Sequence, residues 1–456
     1  MNGCCARCRR RSAKPMIDER YLQDWSGTRY GQPLSLEKPG SVTGLAQWLK
    51  GCNESGVPVA LQGGRTGVSG GAAPGDGEHI LSLENLREVI SFDRQAGVIV
   101  VESGMILADV QALVEEEGWT LPLDLGSRGS CQIGGNAATN AGGCRVIKYG
   151  NMRSMVLGVE AVLADGSIIG PPNELVKNNA GYSLTQLLVG SEGTLGVITK
   201  VALRLIPTPP VRLAALLAIA PQIGVDELLR HCRVGFGESL SAFEVMWPEY
   251  VEAALVEKAH VRRLPEGFDG MRAVLIEVEG QSETAIGARL EEVLSQLYEK
   301  NIVRDIVLPS SIKDGQELWA IRESVGEIQR DIRPYAGFDL GMPASQYDAF
   351  VTSARSNLAS TGLPIKSYFF GHAGDGNLHA VIGPCPTDDV RACVEAALYD
   401  LLPAYTTTVT AEHGMGRKKK SMLGRARTQA DIAAMIAIKR ALDPKNILNP
   451  GRIFDL

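Results

Sequence analysis

Two glycine-rich segments constrain the fold of this chain more than any other feature. The first, from Leu61 to Gly71, reads L-Q-G-G-R-T-G-V-S-G-G, and the second, from Pro122 to Gly143, reads P-L-D-L-G-S-R-G-S-C-Q-I-G-G-N-A-A-T-N-A-G-G. Glycine lets backbone N–H groups approach a phosphate closely and adopts positive φ without strain. Neither segment has the G-x-G-x-x-G spacing of a Rossmann fold or the Gly-Lys-Ser/Thr of a P-loop. Unless they are ordinary turns, the segments predict a pyrophosphate cofactor bound by another fold.

The bulk composition is that of a soluble globular protein. The 456 residues predict two to three domains, and 45% of them are apolar against 21% charged. A net charge of −6 argues against a nucleic-acid partner. The sequence has no run of ~18 apolar residues and therefore predicts no transmembrane helix. The nine cysteines are scattered and odd in number, which favours reduced thiols in the cytoplasm or, in a eukaryote, the mitochondrial matrix.

Residues 1–16 differ from the rest of the chain. They are basic and lack the apolar core of a secretory signal, so we expect a disordered tail or a true start at Met16. A mitochondrial presequence of this length would be very short. Cys4, Cys5 and Cys8 could bind a metal, although a tail is the simpler interpretation.

Local patterns predict an α+β protein with three parts after the tail. Residues 17–210 alternate helices, strands and glycine loops and form the cofactor domain, which ends at a proline-rich boundary. Residues 211–410 predict a second domain, an antiparallel sheet with helices on one face. Residues 411–456 are glycine-rich and then helical, and we expect this segment to return to the first domain.

Three of the six histidines lie in polar, glycine-flanked stretches. His372 and His379 belong to F-F-G-H-A-G-D-G-N-L-H, which predicts two strands joined by a tight turn, and His413 belongs to T-A-E-H-G-M-G-R-K-K-K. The turn brings the first two imidazoles together. With Glu412 they form a common ligand set for a divalent metal with open positions. His413 beside them is a candidate general base.

Each of these residues also has a simpler interpretation. Two histidines around a turn are often surface residues, and Asp375 in G-D-G-N is a common turn former. The basic run from Arg417 to Lys420 is most simply a solvated face. The residues alone do not decide between a metal site and these alternatives.

Together these motifs resemble the FAD-linked D-2-hydroxy-acid dehydrogenases of the vanillyl-alcohol-oxidase type. That group includes D-lactate dehydrogenase, the flavin subunit of glycolate oxidase and D-2-hydroxyglutarate dehydrogenase. The resemblance runs from about Asp18 to Leu456. It rests on the two glycine segments, N-N-A-G-Y-S-L-T-Q-L-L-V-G-S-E-G-T-L-G-V-I-T, G-H-A-G-D-G-N-L-H, A-E-H-G-M-G and the L-N-P-G-R tail.

The resemblance implies FAD bound between two α+β subdomains of a PCMH-type domain, with the second domain as a substrate cap. No histidine lies in either glycine segment, so the FAD is expected to be non-covalent. The pyrophosphate is expected on Gly63, Gly64, Arg65, Thr66, Gly67 and Ser69. The flavin and ribose are expected beside Pro122, Gly126, Ser130, Gly134, Gly135, Asn140, Gly142, Glu192, Gly193, Val197 and Asn449.

The resemblance also implies a mechanism. His372, His379 and Glu412 hold zinc, or alternatively manganese, and the ion chelates the hydroxyl and carboxylate of a 2-hydroxy acid. His413 removes the hydroxyl proton while the Cα hydride goes to flavin N5, leaving a 2-oxo acid. Arg322 in L-W-A-I-R-E is the candidate clamp on a substrate carboxylate, and the alternative is a surface salt bridge to Glu323 or a neighbouring acid.

Three departures bear on the substrate. Where the hydroxyglutarate enzymes of the group carry Thr, Lys and Asn, this chain has Gly326, Gly337 and Val381. A distal carboxylate would lose charge-assisted contacts worth roughly 1.5–3 kcal/mol each. The sequence therefore favours a monocarboxylate such as D-lactate, or an acid with an apolar side chain, and D-2-hydroxyglutarate is the alternative.

The sequence does not identify the electron acceptor, and quinone, cytochrome c, an electron-transfer flavoprotein and oxygen are the alternatives. A homodimer is expected from the family resemblance. One rival interpretation is the flavin subunit of a glycolate-oxidase-like complex, inert alone. Another is a relative of alkyl-glycerone-phosphate synthase, which would predict membrane association. A third is a nucleotide- or metal-binding regulatory protein without catalysis.

Overall fold

The computed structural model describes residues 17–257 and 264–456. The expectations for residues 1–16, including a metal role for the three cysteines there, lie outside this range. The first part of the chain contains a parallel three-stranded sheet, ordered β1-β3-β2, and an antiparallel five-stranded sheet, ordered β4-β5-β9-β7-β8. Its strands are β1 Ser35–Glu37, β2 Val59–Gln62, β3 His79–Ser82, β4 Val89–Asp93, β5 Val98–Glu102, β6 Trp119–Thr120, β7 Val156–Val162, β8 Ile168–Ile169, β9 Val197–Arg204 and β10 Ile206–Pro207.

A capping signal in the sequence marks the first helix of this part. The first helix begins after Ser41, whose side chain accepts the N–H of Gly44, and it ends at Gly56 with φ 69°. The predicted helix before the first glycine segment is therefore confirmed. The helices are α1 Val42–Ser55, α2 Leu107–Glu115, α3 Ile133–Thr139, α4 Val146–Tyr149, α5 Met152–Met155 and α6 Leu184–Leu188.

The two glycine segments pack directly against each other. A Cβ atom at Gly64 would lie 2.2 Å from the carbonyl oxygen of Ser130, and one at Gly134 would lie 2.4 Å from Cβ of Ser103. Such distances leave no room for any side chain. Glycine is thus required here by the backbone packing itself, apart from any cofactor.

The second part is built on one antiparallel sheet of seven strands, ordered β14-β11-β13-β12-β16-β17-β15. The strands are β11 Val211–Ile219, β12 Leu240–Met246, β13 Ala273–Gly280, β14 Val303–Val307, β15 Ala336–Gly341, β16 Lys366–His372 and β17 Asn377–Gly383. The helices are α7 Val225–Phe236, α8 Pro248–Glu257, α9 Glu283–Glu299, α10 Ile312–Arg322, α11 Val325–Asp331, α12 Tyr347–Ser360, α13 Asp388–Tyr399, α14 Leu423–Ala426 and α15 Gln429–Leu442.

Helices cover both faces of this sheet, so the prediction of helices on one face is wrong. Helices α7, α9, α12 and α13 pack on one face. Helices α8, α10 and α11 pack on part of the other face. The reason lies in the central strand β12, which is buried at every position and therefore has no solvated face.

The end of the chain contacts the first part. The backbone N–H of Asn449 donates to Val59 at 2.9 Å, and its side-chain oxygen accepts the N–H of Leu61 at 2.8 Å. Arg452 is buried and binds Glu78 at 2.6 Å. These contacts attach the C-terminal segment to the strand that leads into the first glycine segment. The domain boundaries at 210 and 410 stay predictions.

Candidate active site

A cavity of about 1900 Å³ lies between the glycine segments and the seven-stranded sheet. Ordinary ligand pockets measure roughly 300–1,000 Å³. The space therefore accommodates a large cofactor and a small substrate together. Most of the predicted cofactor residues line it, namely Gly63, Gly64, Arg65, Thr66, Gly67, Ser69, Gly126, Gly134, Gly135, Gly142, Glu192, Gly193, Val197 and Asn449.

Three predicted cofactor residues do not line the cavity. Pro122 is buried beside it. The carbonyl of Ser130 faces Gly64, and the side-chain oxygen of Asn140 accepts the N–H of Arg153 at 2.9 Å. These residues hold the second glycine segment in place, and we do not propose them as direct cofactor contacts.

The cavity wall has the properties of a site for an extended anion. Of the seven non-glycine residues with positive φ in the described chain, three are predicted cofactor residues that line the cavity: Arg65, Glu192 and Asn449. Such backbone conformations concentrate at ligand sites. At Gly126 and Gly135 a Cβ atom would meet nothing within 4 Å, so the backbone there is open to the cavity. The residues present fit FAD.

Two side chains in the cavity wall form hydrogen bonds to another loop of the protein. The Glu192 carboxylate accepts the N–H groups of Met415 and Gly416, each at 2.7 Å. The hydroxyl of Ser69 donates to the carbonyls of His413 and Gly414, at 3.0 Å each. Burial raises the pKa of Glu192, and the two N–H donors offset part of the effect. These contacts fasten the A-E-H-G-M-G loop to the first part of the chain.

Strand register places the functional histidines on one face of the seven-stranded sheet. His379 on β17 lies opposite Phe370 on β16 and opposite Asp339 on β15. His372, two residues beyond Phe370, therefore faces the same side as His379. The alternative of surface histidines is wrong, because the side chain of His372 is 13% exposed and His379 is 8% exposed.

His372, His379 and Glu412 converge on one point. Their ligand atoms lie within 4.8 Å of one another, and Nε2 of His372 is 3.3 Å from Oε1 of Glu412. That oxygen is buried and has no hydrogen-bond partner among the described residues. An unsatisfied buried carboxylate oxygen is unfavourable unless a cation or donor is added. The three residues therefore fit a divalent metal ion.

A second group, Asp339, His379 and His413, has similar spacing but different chemistry. Asp339 accepts the N–H of His413 at 2.9 Å, the hydroxyl of Thr410 at 2.7 Å and the ammonium of Lys419 at 3.3 Å. Burial would raise its pKa, but His413 and Lys419 hold the pKa well below the usual range. Its oxygens are already occupied, so this group is not a metal site.

Comparisons with known proteins decide the family. A family model described as "FAD binding domain" matches residues 33–170, and one described as "FAD linked oxidases, C-terminal domain" matches residues 224–453. The chain is 38% identical to the mitochondrial D-2-hydroxyglutarate dehydrogenase of Bos taurus, over 94% of this chain and 78% of the relative. The chain belongs to the FAD-linked D-2-hydroxy-acid dehydrogenases.

Other relatives agree with this placement of the dehydrogenase. The D-2-hydroxyglutarate dehydrogenase of Xanthomonas citri pv. viticola is 36% identical over 98% of this chain and 94% of the relative. A Schizosaccharomyces pombe protein, provisionally named a mitochondrial D-lactate dehydrogenase, is 32% identical over 96% of this chain and 85% of the relative. The solved structure of p-cresol methylhydroxylase has a TM-score of 0.73 at 17% identity, covering 95% of this chain and 92% of that one. The dehydrogenase thus has the predicted vanillyl-alcohol-oxidase type of FAD fold with a C-terminal domain.

Arg322 of the dehydrogenase is 7% exposed and lines the cavity. Its Nε donates to the buried Glu244 at 2.8 Å, so the alternative of a surface pair with Glu323 is wrong. The guanidinium lies over the ring of Phe370, 4.9 Å from its centre. The guanidinium also interacts with the hydroxyl of Tyr250. The clamp role stays a prediction, and the cavity side of the guanidinium is where a carboxylate would bind.

Sequence reasoning missed two buried carboxylates behind the histidines, Glu244 and Asp339. Each is an acid inside an otherwise apolar strand, in F-E-V-M-W and G-F-D-L-G, and that signal could have identified them. Oε1 of Glu244 lies 2.8 Å from Nδ1 of His372. Burial would lower the pKa of His372, but Glu244 and Glu412 raise it to about 9 in the absence of an ion.

The basic run after the A-E-H-G motif is not the solvated face that its composition predicts. Arg417 binds Glu78 at 2.6 Å, Lys419 is buried against Asp339, and Lys420 binds Asp455 at 2.7 Å. Only Lys418 of the run is exposed. Among the residues that the structure describes, no helix is long and apolar enough to cross a membrane.

Proposed function

We propose that this protein oxidises a D-2-hydroxy acid to the 2-oxo acid with non-covalent FAD and a divalent ion, zinc or alternatively manganese, at His372, His379 and Glu412. The observation that carries the proposal is the convergence of His372, His379 and Glu412 in the cavity that the glycine segments line, where the buried Oε1 of Glu412 lies 3.3 Å from Nε2 of His372. FAD, when bound, accepts the Cα hydride at N5. The ion, when bound, lowers the pKa of the substrate hydroxyl.

His413 takes the hydroxyl proton in this proposal. Its Nδ1 faces Asp339 at 3.5 Å, and its ring stacks at 5.6 Å on that of His379. Nε2, on the far side of the ring, is then the atom that accepts the proton. The position of His413 in the cavity wall beside Glu412 supports this role.

Arg322 orients the substrate by its carboxylate. Glu244 holds Nε, and the end of the guanidinium that carries the two terminal nitrogens is the part that would form a bidentate pair with a carboxylate. Arg322 would hold the substrate carboxylate, and the proposed metal site would hold the substrate hydroxyl. With these two groups fixed, one face of Cα is presented to the flavin. This two-point attachment is the basis of the expected preference for the D enantiomer.

A small or apolar side chain is the substrate feature that the cavity favours. Gly337 and Val381 pair across β15 and β17, two residues from Asp339 and His379. The cavity is also lined by further apolar groups, Trp319, Val325, Tyr335 and Phe370. D-Lactate or an acid with an apolar side chain is therefore the proposed substrate class.

D-2-Hydroxyglutarate is the second candidate, because two of the relatives above carry that name. Its distal carboxylate would need a cation in place of the missing lysine at Gly337. Arg333 and Arg391 are among the cationic residues that line the cavity, and we propose them for this role. A mitochondrial location in a eukaryotic host is supported by the names of the relatives.

The experiment is anaerobic reduction of the purified flavoprotein by a panel of D- and L-2-hydroxy acids. We expect rapid bleaching of the visible flavin band by a D-acid, loss of bleaching after chelator treatment, and recovery with zinc or manganese. A yellow protein that no hydroxy acid reduces would contradict the proposal and favour a subunit that requires partners. Quinone, cytochrome c and an electron-transfer flavoprotein are then tested as oxidants of the reduced enzyme.

A further inference from the structure

We infer that Glu244 is a positioning residue that couples the metal ligands to the substrate clamp, by holding His372 with one carboxylate oxygen and Arg322 with the other. This inference rests on the proposed function, since it concerns the same reaction. Glu244 lies at the middle of β12, directly opposite His372 on β16, and is fully buried. Its Oε1 is 2.8 Å from Nδ1 of His372, and its Oε2 accepts Nε of Arg322 at 2.8 Å.

The contact with His372 selects one tautomer of the imidazole. An ionised carboxylate can only accept hydrogen bonds, so Nδ1 of His372 must carry the proton that it shares with Glu244. The lone pair of a neutral ring is then on Nε2, the atom that faces Glu412. A carboxylate behind a ligating histidine typically strengthens metal binding by roughly 10–100-fold.

The contact with Arg322 selects one orientation of the guanidinium. Glu244 binds the Nε edge, and the ring of Phe370 lies beneath the plane. The hydroxyl of Tyr250 donates to the carbonyl of Arg322 at 2.6 Å and anchors the end of α10. With Nε held by Glu244, the guanidinium is fixed in one orientation at the cavity wall.

Glu277 provides a matched comparison within the same sheet. It is also a buried acid, 3% exposed, on the neighbouring strand β13. It binds Arg145 at 2.8 Å and 2.9 Å and contacts neither His372 nor Arg322. Glu277 is therefore an ion-paired acid outside the metal cluster. Its replacement measures only the effect of removing a buried carboxylate from the sheet.

The test replaces Glu244 by Gln, which keeps the shape but has one acceptor and one donor. If the amide oxygen accepts from Arg322, the NH₂ group faces Nδ1 of His372 and moves the imidazole proton to Nε2. If the amide is reversed, its NH₂ group opposes the N–H of Arg322. In the first orientation Nε2 is protonated and no longer available to a metal ion, and in the second the hydrogen bond to Arg322 is lost.

Two quantities are measured on flavin-loaded protein. One is the zinc dissociation constant, by competition with a chelating dye, and the other is the KM for the D-2-hydroxy acid that reduces the wild type. For Glu244→Gln we expect zinc binding weakened by roughly 10–100-fold and a KM raised by about tenfold or more, with flavin content unchanged. Glu244→Asp, which only accepts hydrogen bonds, should retain more zinc affinity than the Gln variant.

Glu277→Gln is the control, and its zinc dissociation constant should equal that of the wild type even where its thermal stability falls. Equal zinc affinity and KM in Glu244→Gln and wild type would overturn the inference. So would a matching loss in Glu277→Gln, because the effect would then be general. If wild-type protein itself binds no zinc and is reduced by no hydroxy acid, the proposed function fails instead, and the two failures are distinguishable.

Discussion

Asp339 contacts His413 twice, accepting its backbone N–H at 2.9 Å and lying 3.5 Å from Nδ1 of its ring. The same carboxylate also binds the N–H of Ala411 at 3.2 Å. A single buried acid therefore shapes the loop that carries Glu412 and orients the proposed base. The loop has little freedom, which favours a preorganised site.

The first prediction concerns His413 as the base. His413→Asn should slow the reduction of the flavin by a 2-hydroxy acid by roughly 10²–10⁴, because no group at that position would accept the hydroxyl proton. Zinc and flavin contents should match the wild type. Stopped-flow absorbance under anaerobic conditions measures the rate, and an unchanged rate would remove His413 from the mechanism.

The second prediction concerns the metal ligands. His372→Ala or Glu412→Ala should abolish both bound metal and turnover while FAD stays bound, because the flavin site lies on other residues. His231→Ala is the matched control, since His231 pairs with Arg230 and lies outside the cavity lining. Metal analysis and flavin absorbance are measured on the same samples. Full activity in a metal-free variant would falsify the metal role.

The third prediction is a pH dependence of zinc affinity. Without an ion the pKa of His372 is raised to about 9, above its ordinary value of 6.5, so the ring is protonated at neutral pH. Zinc requires the neutral ring, and its affinity should therefore rise by roughly tenfold per pH unit between about pH 6 and 8. A chelator competition series measures it, and a flat profile would contradict the prediction.

The raised pKa of His372 also affects the stability of the ion-free protein. A raised folded-state pKa means that the charged ring stabilises the fold. That contribution is fully present below pH 6.5 and is lost as the pH rises through about 9. Thermal melts of chelator-treated wild type and His372→Gln should therefore converge at alkaline pH.

The fourth prediction concerns the first glycine segment. A Cβ atom at Gly67 would meet only Asp24, at 3.9 Å, so Gly67→Val fits the protein but projects into the cavity wall. The variant should fold and lose FAD, because the side chain blocks the approach of the cofactor to the backbone. Gly40→Val, at an exposed position with nothing within 4 Å, is the control. A fully yellow Gly67→Val protein would argue against the loop assignment.

The fifth prediction concerns substrate selectivity. A Cβ atom at Gly337 would lie 3.6 Å from the ring of Tyr335, an ordinary contact, so a lysine can be introduced. Gly337→Lys should raise kcat/KM for D-2-hydroxyglutarate relative to D-lactate by about tenfold or more, through a charge-assisted hydrogen bond to the distal carboxylate. Gly337→Met adds similar bulk without charge and should leave this kcat/KM ratio unchanged. An unchanged ratio in the lysine variant would place the distal carboxylate elsewhere.

Local chemistry made several features predictable from the sequence. Ser41 and Gly56 mark the ends of α1 because capping depends on neighbouring residues alone. The turn between His372 and His379 is likewise local, since G-D-G-N can only join adjacent strands tightly. Their convergence with Glu412 supports the metal hypothesis.

Other features depended on contacts between distant parts of the chain. The basic run around Lys419 was interpreted as solvated, yet its partners Asp339 and Glu78 lie far away in sequence. Helices on the second face of the large sheet were missed for a similar reason. A short strand of mostly apolar residues does not show which elements will cover each face.

The sequence by itself determined the family, the cofactor class and the set of candidate ligands, because glycine segments and short histidine motifs carry their chemistry within a few residues. Only the tertiary structure decided which acid lies behind which imidazole. Glu244 and His372 are 128 residues apart and meet through the register of β12 and β16. Strand register is set by the packing of the whole sheet, and no local pattern of residues specifies it.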